Sequence, residues 1–457
     1  MTDTICALAT APGGALGIIR ISGPQALEIL SHVFRSAGDV QTYAANTIHY
    51  GHIVEYDAMS QHPLPIDEVM VSVFRAPHSY TGEDSVEISC HGSRYILNKV
   101  LELLISCGCR MANPGEYTMR AYLNGKMDLS QAEAVADLIA STNEASHKLA
   151  ISQLRGGISM ELSRLREQLL KLTSLLELEL DFSDHEDLEF ADRSELYELA
   201  QKIDARITTL AHSFEVGQAM KHGIPIAIVG KTNVGKSTLL NQLVGEDRAI
   251  ISNIHGTTRD TIEDEIEIDG VLYRIIDTAG LRQTSDEIER IGIERTMKAI
   301  EKAHIVIWLF DTKPSDAEMQ EMSTLTKGKR CINVLNKADL IDEDNFLPFM
   351  VPMVLVSAKY GTHINTLKRI IIEESRVAGL LGNDHDVIIS NARHYDALLR
   401  SHESIDRVID GLNQQLSGDL LSEDLRLTLD TLAEITGGQI TPNEVLGNIF
   451  KNFCVGK

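Results

Sequence analysis

The run Gly230-Lys231-Thr232-Asn233-Val234-Gly235-Lys236-Ser237 directly follows an apolar stretch, Ile224 to Val229, and satisfies the spacing GxxxxGK[ST]. Such a loop needs a strand before it and a helix after it. Its glycines let the backbone curl so that successive amides and the helix N-terminus converge on a phosphate. From Ile224 to about Glu374 apolar strands alternate with Gly-containing loops and helices, the pattern of a parallel sheet built from βαβ units. Lys236 is expected to reach the terminal phosphates, the Ser237 hydroxyl to ligate Mg²⁺, and Val234, Gly235 and Thr238 to line the same cradle.

Four more strings follow in a fixed order. Gly256-Thr257-Thr258-Arg259-Asp260 lies in a polar loop, and its Thr258 hydroxyl can complete a Mg²⁺ shell when a γ-phosphate is present; Ser252, Asn253, Ile254 and His255 just before it are expected at the nucleotide too. A strand from Leu272 to Ile276 runs into Asp277-Thr278-Ala279-Gly280, where the carboxylate supports the metal and the Gly280 amide senses the γ-phosphate. After a strand from Cys331 to Leu335 comes Asn336-Lys337-Ala338-Asp339, and a carboxylate at Asp339 accepts two hydrogen bonds from the ring and amino N–H groups of guanine. Adenine offers no such donor pair. Ser357-Ala358-Lys359, after a strand from Met353 to Val356, supplies a backbone amide for the guanine oxygen. Together the five strings describe a GTP-binding fold of the Ras-like P-loop kind.

Its catalytic detail differs from Ras. Leu281 stands where Ras-type enzymes carry the glutamine that orients the attacking water, so another polar group is needed. Asp286, Glu287 and Glu289 are candidates, and the residues alone do not choose among them. Asn233 can offer its side-chain oxygen to a monovalent cation beside the phosphates; a turn-forming asparagine accounts for it equally well.

Around this block the chain of 457 residues has room for about three domains. Residues 1–120 read as short strands with one helix from Arg94 to Ile105, an α+β domain. Residues 121–215 and 377–457 carry leucine stripes at helical spacing, so the GTPase block, 216–376, reads as an insertion into a helical domain. A net charge of −24 repels polyanions at long range, so any nucleic acid must meet local basic patches. Lys148, Arg155, Arg164, Arg166 and Lys171 form one candidate, although pairing with Glu161 and Glu167 along helix surfaces is the plainer account. Glu177 to Glu189 holds seven acids in thirteen residues, a solvated acidic turn. The six cysteines have neither disulfide nor zinc spacing, no apolar run approaches the about 20 residues of a membrane span, and the first residues lack a leader, so a cytoplasmic protein without membrane association is expected.

Six strings carry a wider resemblance: GGALGIIRISG, NPGEYTMRAYLNGKMDLSQAEAVADLI, GKTNVGKSTLLNQL, ISNIHGTTRD, DTAGLRQTSDEIERIGIER and FCVGK. The chain resembles, over its whole length, the MnmE (TrmE) family of tRNA-modifying GTPases. The resemblance implies an N-terminal tetrahydrofolate-binding and dimerisation domain, a helical domain and an inserted GTPase domain. It implies a homodimer that joins an FAD-dependent MnmG (GidA) partner in a heterotetramer or larger assembly. With that partner such proteins place an aminomethyl or carboxymethylaminomethyl group on C5 of the tRNA wobble uridine, using 5-formyl- or 5,10-methylene-tetrahydrofolate. It further implies K⁺-dependent GTP hydrolysis with Asn233, Ser252, Ile254 and Thr257 as K⁺ ligands and Glu289 as the water-orienting carboxylate. Folate contacts would fall on Arg20, Glu87, Lys126 and Lys457, with Cys454 close to the chemistry. A ribosome-assembly or RNA-binding switch GTPase without folate chemistry is the alternative; the leucine-striped run after Glu374 lacks the basic GxxG module such proteins append.

Overall fold

The computed structural model describes residues 3–56, 63–181, 193–246, 264–276, 289–340, 352–382, 386–438, 443–451, 453 and 456. They divide into two compact units. The first is Met1–Ala136 with Leu154–Ser159 and Ala433–Lys457; the second is Asp137–Gln153 with Met160–Leu432.

In the first unit seven strands form one sheet: β1 (Ile5–Leu8), β2 (Leu16–Ser22), β3 (Phe34–Arg35), β4 (Thr47–Glu55), β5 (Leu64–Phe74), β6 (Ser85–His91) and β7 (Arg110–Met111). Their order is β3-β4-β5-β6-β2-β1-β7, antiparallel apart from the β1 and β7 pair. Period-two alternation sends Ile19, Ile21, Val69, Val71, Val73, Val86 and Ile88 into a core with the helices Ala26–Val33 and Arg94–Ser106. The same alternation points Arg20 and Glu87 away from that core and sets them directly opposite one another on β2 and β6.

Two further features complete this unit. Leu446 and Phe450 of the helix Asn443–Phe450, with Phe453, pack on Leu129 and Ala132. Beneath the Arg20 strand lies a cluster of charges that the sequence did not announce. Arg120, 1% exposed, donates to Asp3 Oδ1 at 2.9 Å, to Glu116 Oε1 at 3.0 Å and to Glu83 Oε2 at 3.1 Å. Arg110 donates to both oxygens of Glu116, sharing Oε1 with Arg120. Burial alone would push the Glu116 carboxyl up, but the Arg110, Asn113 amide and Arg120 hydrogen bonds more than offset it and hold it low.

The second unit has a six-stranded sheet of β8 (Ile224–Val229), β9 (Asp264–Ile268), β10 (Val271–Ile275), β11 (Ile305–Phe310), β12 (Arg330–Leu335) and β13 (Val354–Leu355). The order is β13-β12-β11-β8-β10-β9, parallel except for the β9–β10 hairpin. Its strands are apolar on both faces, as parallel sheets require. Ile226, Ile228, Ile305 and Ile307 meet the helices Lys236–Glu246 and Ile364–Val377. Ala227, Val229 and Val306 meet the helices Glu289–Lys302 and Asp316–Leu325 on the opposite face. The layout is the doubly wound P-loop fold read from the motif. The 30-residue helix Arg193–His222 leads into β8 and packs lengthwise on Ala392–Asn413, with Phe214 and Tyr395 stacked at 4.5 Å.

Candidate functional site

β8 delivers the chain to Gly230, and the helix Lys236–Glu246 carries it away, so the phosphate loop lies at the carboxyl end of the central strands, where open α/β sheets bind ligands. The loop closes on itself. Lys236 Nζ donates to the carbonyls of Gly230 and Lys231, both at 2.7 Å, and burial pulls its ammonium below the ordinary value. A phosphate in the loop would supply opposite charge to this half-buried cation. Ser237 is exposed in the first helical turn, where a hydroxyl suits a cation held against phosphate. Asn233, also exposed, sits at φ 63, a left-handed conformation that asparagine tolerates better than most residues.

The base-reading strings are fastened to this loop by one side chain. Asn336, 2% exposed, donates from Nδ2 to the Val234 carbonyl at 2.8 Å and accepts the Ala358 amide on Oδ1 at 2.9 Å. It thereby joins the phosphate loop, the segment after β12 and the Ser357–Lys359 loop. Gly235 belongs to the same joint. At φ 99 it has a conformation side chains avoid, and a Cβ there would fall 2.3 Å from Asn336 Nδ2.

Asp339 is exposed, and its Oδ1 accepts the Ser357 hydroxyl at 2.5 Å, which fixes the carboxylate's orientation. Lys337 pairs with Asp311 at 2.6 Å. Lys359 lies over the Tyr360 ring at 4.9 Å. Lys231 pairs with Glu318 of the neighbouring helix, whose carboxyl is driven down to about 2 by that lysine and by the Ser315 amide and hydroxyl. Neither Asp311 nor Glu318 was picked out from the sequence, because neither belongs to a short motif.

Several expected residues lie outside the described ones: Ser252, Asn253, Ile254, His255, Gly256, Thr257 and Thr258, then Asp277, Thr278, Ala279 and Gly280, and finally Cys454 and Lys457. Glu289 opens the helix Glu289–Lys302, and only its backbone is described.

The second cluster is in the first unit. Arg20 Nε and Nη2 both reach Glu87 Oε1, at 2.9 and 2.7 Å, and Nη1 donates to the Gly456 carbonyl at 3.2 Å. The guanidinium lies near the rings of Tyr80 and Tyr117 at 5.7 and 5.5 Å. Lys126 turns elsewhere, donating to the Pro77 carbonyl at 2.8 Å. It holds one end of the loop that carries Tyr80, while Asn124 Nδ2 holds the Thr81 carbonyl at 2.7 Å. Arg20 and Glu87 thus form a pair that is partly exposed and bears on the penultimate residue, and Lys126 flanks it through a loop.

A family model described as the GTP-binding protein TrmE N-terminus matches residues 4–126, and one described as the MnmE helical domain matches residues 129–454. The tRNA modification GTPase MnmE of Parabacteroides distasonis is 53% identical, with 100% of both chains covered. Those of Phocaeicola vulgatus and Flavobacterium johnsoniae are 51% and 48% identical, each covering 100% of this chain and 99% of the relative. Among the described residues no helix is long and apolar enough to cross a membrane. With the phosphate cradle, the Asn336 joint and both matched domains in one chain, this protein belongs to the MnmE (TrmE) family of tRNA modification GTPases.

Proposed function

We propose that the protein is a K⁺-dependent cytoplasmic GTPase that works as a homodimer and, with an FAD-dependent MnmG (GidA) partner, modifies C5 of the tRNA wobble uridine with a one-carbon unit from 5-formyl- or 5,10-methylene-tetrahydrofolate. The observation that carries the reading is the presence, in one chain, of a phosphate loop with Asn233 inside it and of an Arg20–Glu87 pair touched by Gly456. Bound Mg²⁺ and K⁺ supply positive charge where negative charge grows on the transferring phosphate. Ser237, Thr258 and Asp277 would hold or support the first, and Asn233, Ser252, Ile254 and Thr257 the second. Lys236 exchanges its two carbonyl partners for phosphate oxygens, Asp339 reads guanine, and Glu289 orients the attacking water.

Arg20 suits a carboxylate tail and Glu87 the N–H edge of a pterin, with Lys126 and Lys457 completing the pocket and Cys454 near the reacting carbon. Leu16, Ile48, Tyr50 and Met70 are exposed on strands β2, β4 and β5, an apolar surface that favours a second copy as the dimer partner.

Two experiments test this reading. GTP turnover in K⁺ is expected to exceed that in Na⁺ by about 10²-fold, the worth of one well-placed charge stabiliser, and Asn233→Ala should remove the difference; equal rates in the two salts refute the K⁺ role. Calorimetric titration with 5-formyl-tetrahydrofolate should show binding that Arg20→Ala weakens by about 1.5–3 kcal/mol, the value of a hydrogen bond to a charged group. Absence of binding to the unmodified protein refutes the folate role and leaves the GTPase standing.

A further inference from the structure

The β9–β10 hairpin turns at Asp269 and Gly270, with φ of 52 and 76. That turn does not end in solvent. The Gly270 carbonyl accepts the Ala145 amide at 3.0 Å, and a Cβ on Gly270 would fall 2.9 Å from Glu144 Oε2 and 3.0 Å from Glu144 Cβ. Ala145 lies in the first turn of the helix Glu144–Leu154, where N–H groups have no partner within the helix. Asn143 Oδ1 caps the Ser146 amide at 2.9 Å, and the hairpin turn caps the amide before it. The GTP-binding block therefore satisfies a donor on a helix that lies upstream of it in the chain.

Position in the sequence gives this contact its meaning. β9 starts shortly after Thr258 and β10 stops just before Asp277, the two residues expected to meet Mg²⁺ and the γ-phosphate. β10 also pairs with β8, which opens the phosphate loop. The two ends of the hairpin continue in the chain into both expected phosphate-reading segments, so a change in them is passed toward its tip. The inner face of the helix it touches is buried at Ser146, Leu149, Ala150 and Gln153, and Gln153 Nε2 donates to the Ile388 carbonyl at 3.1 Å, so a shift at its first turn is passed along packed contacts.

We propose that the contact between Gly270 and Ala145 is the joint through which the nucleotide state sets the pose of the helix Glu144–Leu154. The joint rests on the guanine-nucleotide reading of the second unit. By reciprocity, a joint that favours one nucleotide state also shifts the relative affinity for the two nucleotides.

Hydrogen exchange on the full-length protein tests it, with GDP and then a non-hydrolysable GTP analogue bound. The amides at the start of the helix should exchange at rates differing by about fivefold or more between the two states, the lower end of common coupling energies. Gly270→Ala, which inserts a Cβ against Glu144, should abolish the difference and leave GTP turnover within about twofold. Ala145→Pro is the second arm. It removes the donor at a position in the first helical turn where proline is tolerated, and it should have the same effect should the first variant disturb the hairpin. Equal exchange in the two states for the unmodified protein, with both nucleotides demonstrably bound, overturns the joint. Failure to bind either nucleotide overturns the guanine reading instead.

Discussion

Arg120→Ala should lower the stability of the first unit by about 3 kcal/mol, the low end of the cost of breaking a buried ion pair, because Glu116 and the partly exposed Asp3 both keep Arg110. The side chain touches three carboxylates, of Asp3, Glu83 and Glu116, and Glu116 is itself only 2% exposed. Lysine is a poor substitute, since one ammonium cannot reproduce a planar fork that meets several acceptors at once. Hydrogen exchange of the β2 and β6 amides reads the loss directly. The single tryptophan, Trp308, lies in β11 of the second unit, so its fluorescence transition should stay in place. An unaltered β2 and β6 exchange pattern would show that the carboxylates find other partners at little cost.

The same cluster predicts how acid acts. Burial raises and the arginine contacts lower the carboxyls of Asp3 and Glu116, and for both the net direction is down from 3.8 and 4.5. A carboxyl held lower in the folded state adds stability above its unfolded pKa and loses it as pH falls through the folded one. The difference between the unmodified protein and Arg120→Ala should therefore be full at neutral pH and shrink below about pH 4.

Asp339→Asn should weaken GTP binding by about 3 kcal/mol, because the ring N–H bond loses its charged acceptor and the amino bond is replaced by two donors facing each other. The variant should gain affinity for xanthine nucleotides. An asparagine amide accepts from the ring N–H and donates to the carbonyl that xanthine carries in place of the guanine amino group. Competition binding with GDP, XDP and ADP separates base reading from general damage, since damage lowers all three. Ser357→Ala should act in the same direction with a loss of about 1 kcal/mol, because it frees a carboxylate that the hydroxyl now orients. A variant that keeps its preference for guanine would remove Asp339 from the role.

Much of the second unit was legible in the sequence because its signals are local. A glycine loop after an apolar strand and four strings in order require nothing beyond neighbours in the chain, and β8, β10, β12 and β13 fall within a residue of where those strings put them. Strand β4 and the helix Ala26–Val33 went unread. In β4 the alternation is spoiled by Ile48 and Tyr50, apolar residues on the exposed side, and by a central glycine. The candidate sites divide along the same line. Asp339 and Lys236 announce themselves, whereas the Asn336 joint, the Lys231–Glu318 pair and the Arg120 cluster link residues that only tertiary folding brings together. Arg20 and Glu87 carry no local signal of their own and stand out through the resemblance alone; the antiparallel register sets them face to face.

The packing of Leu446, Phe450 and Phe453 on Leu129 and Ala132 bears on how the protein is made. A ribosome releases residues 1–136 long before it reaches 433, so the N-terminal body emerges with an apolar patch whose cover has not yet been synthesised. The whole nucleotide-binding block must be translated in that interval. Until the last helix arrives, that patch is exposed apolar surface of the sort that makes partly folded chains prone to aggregate.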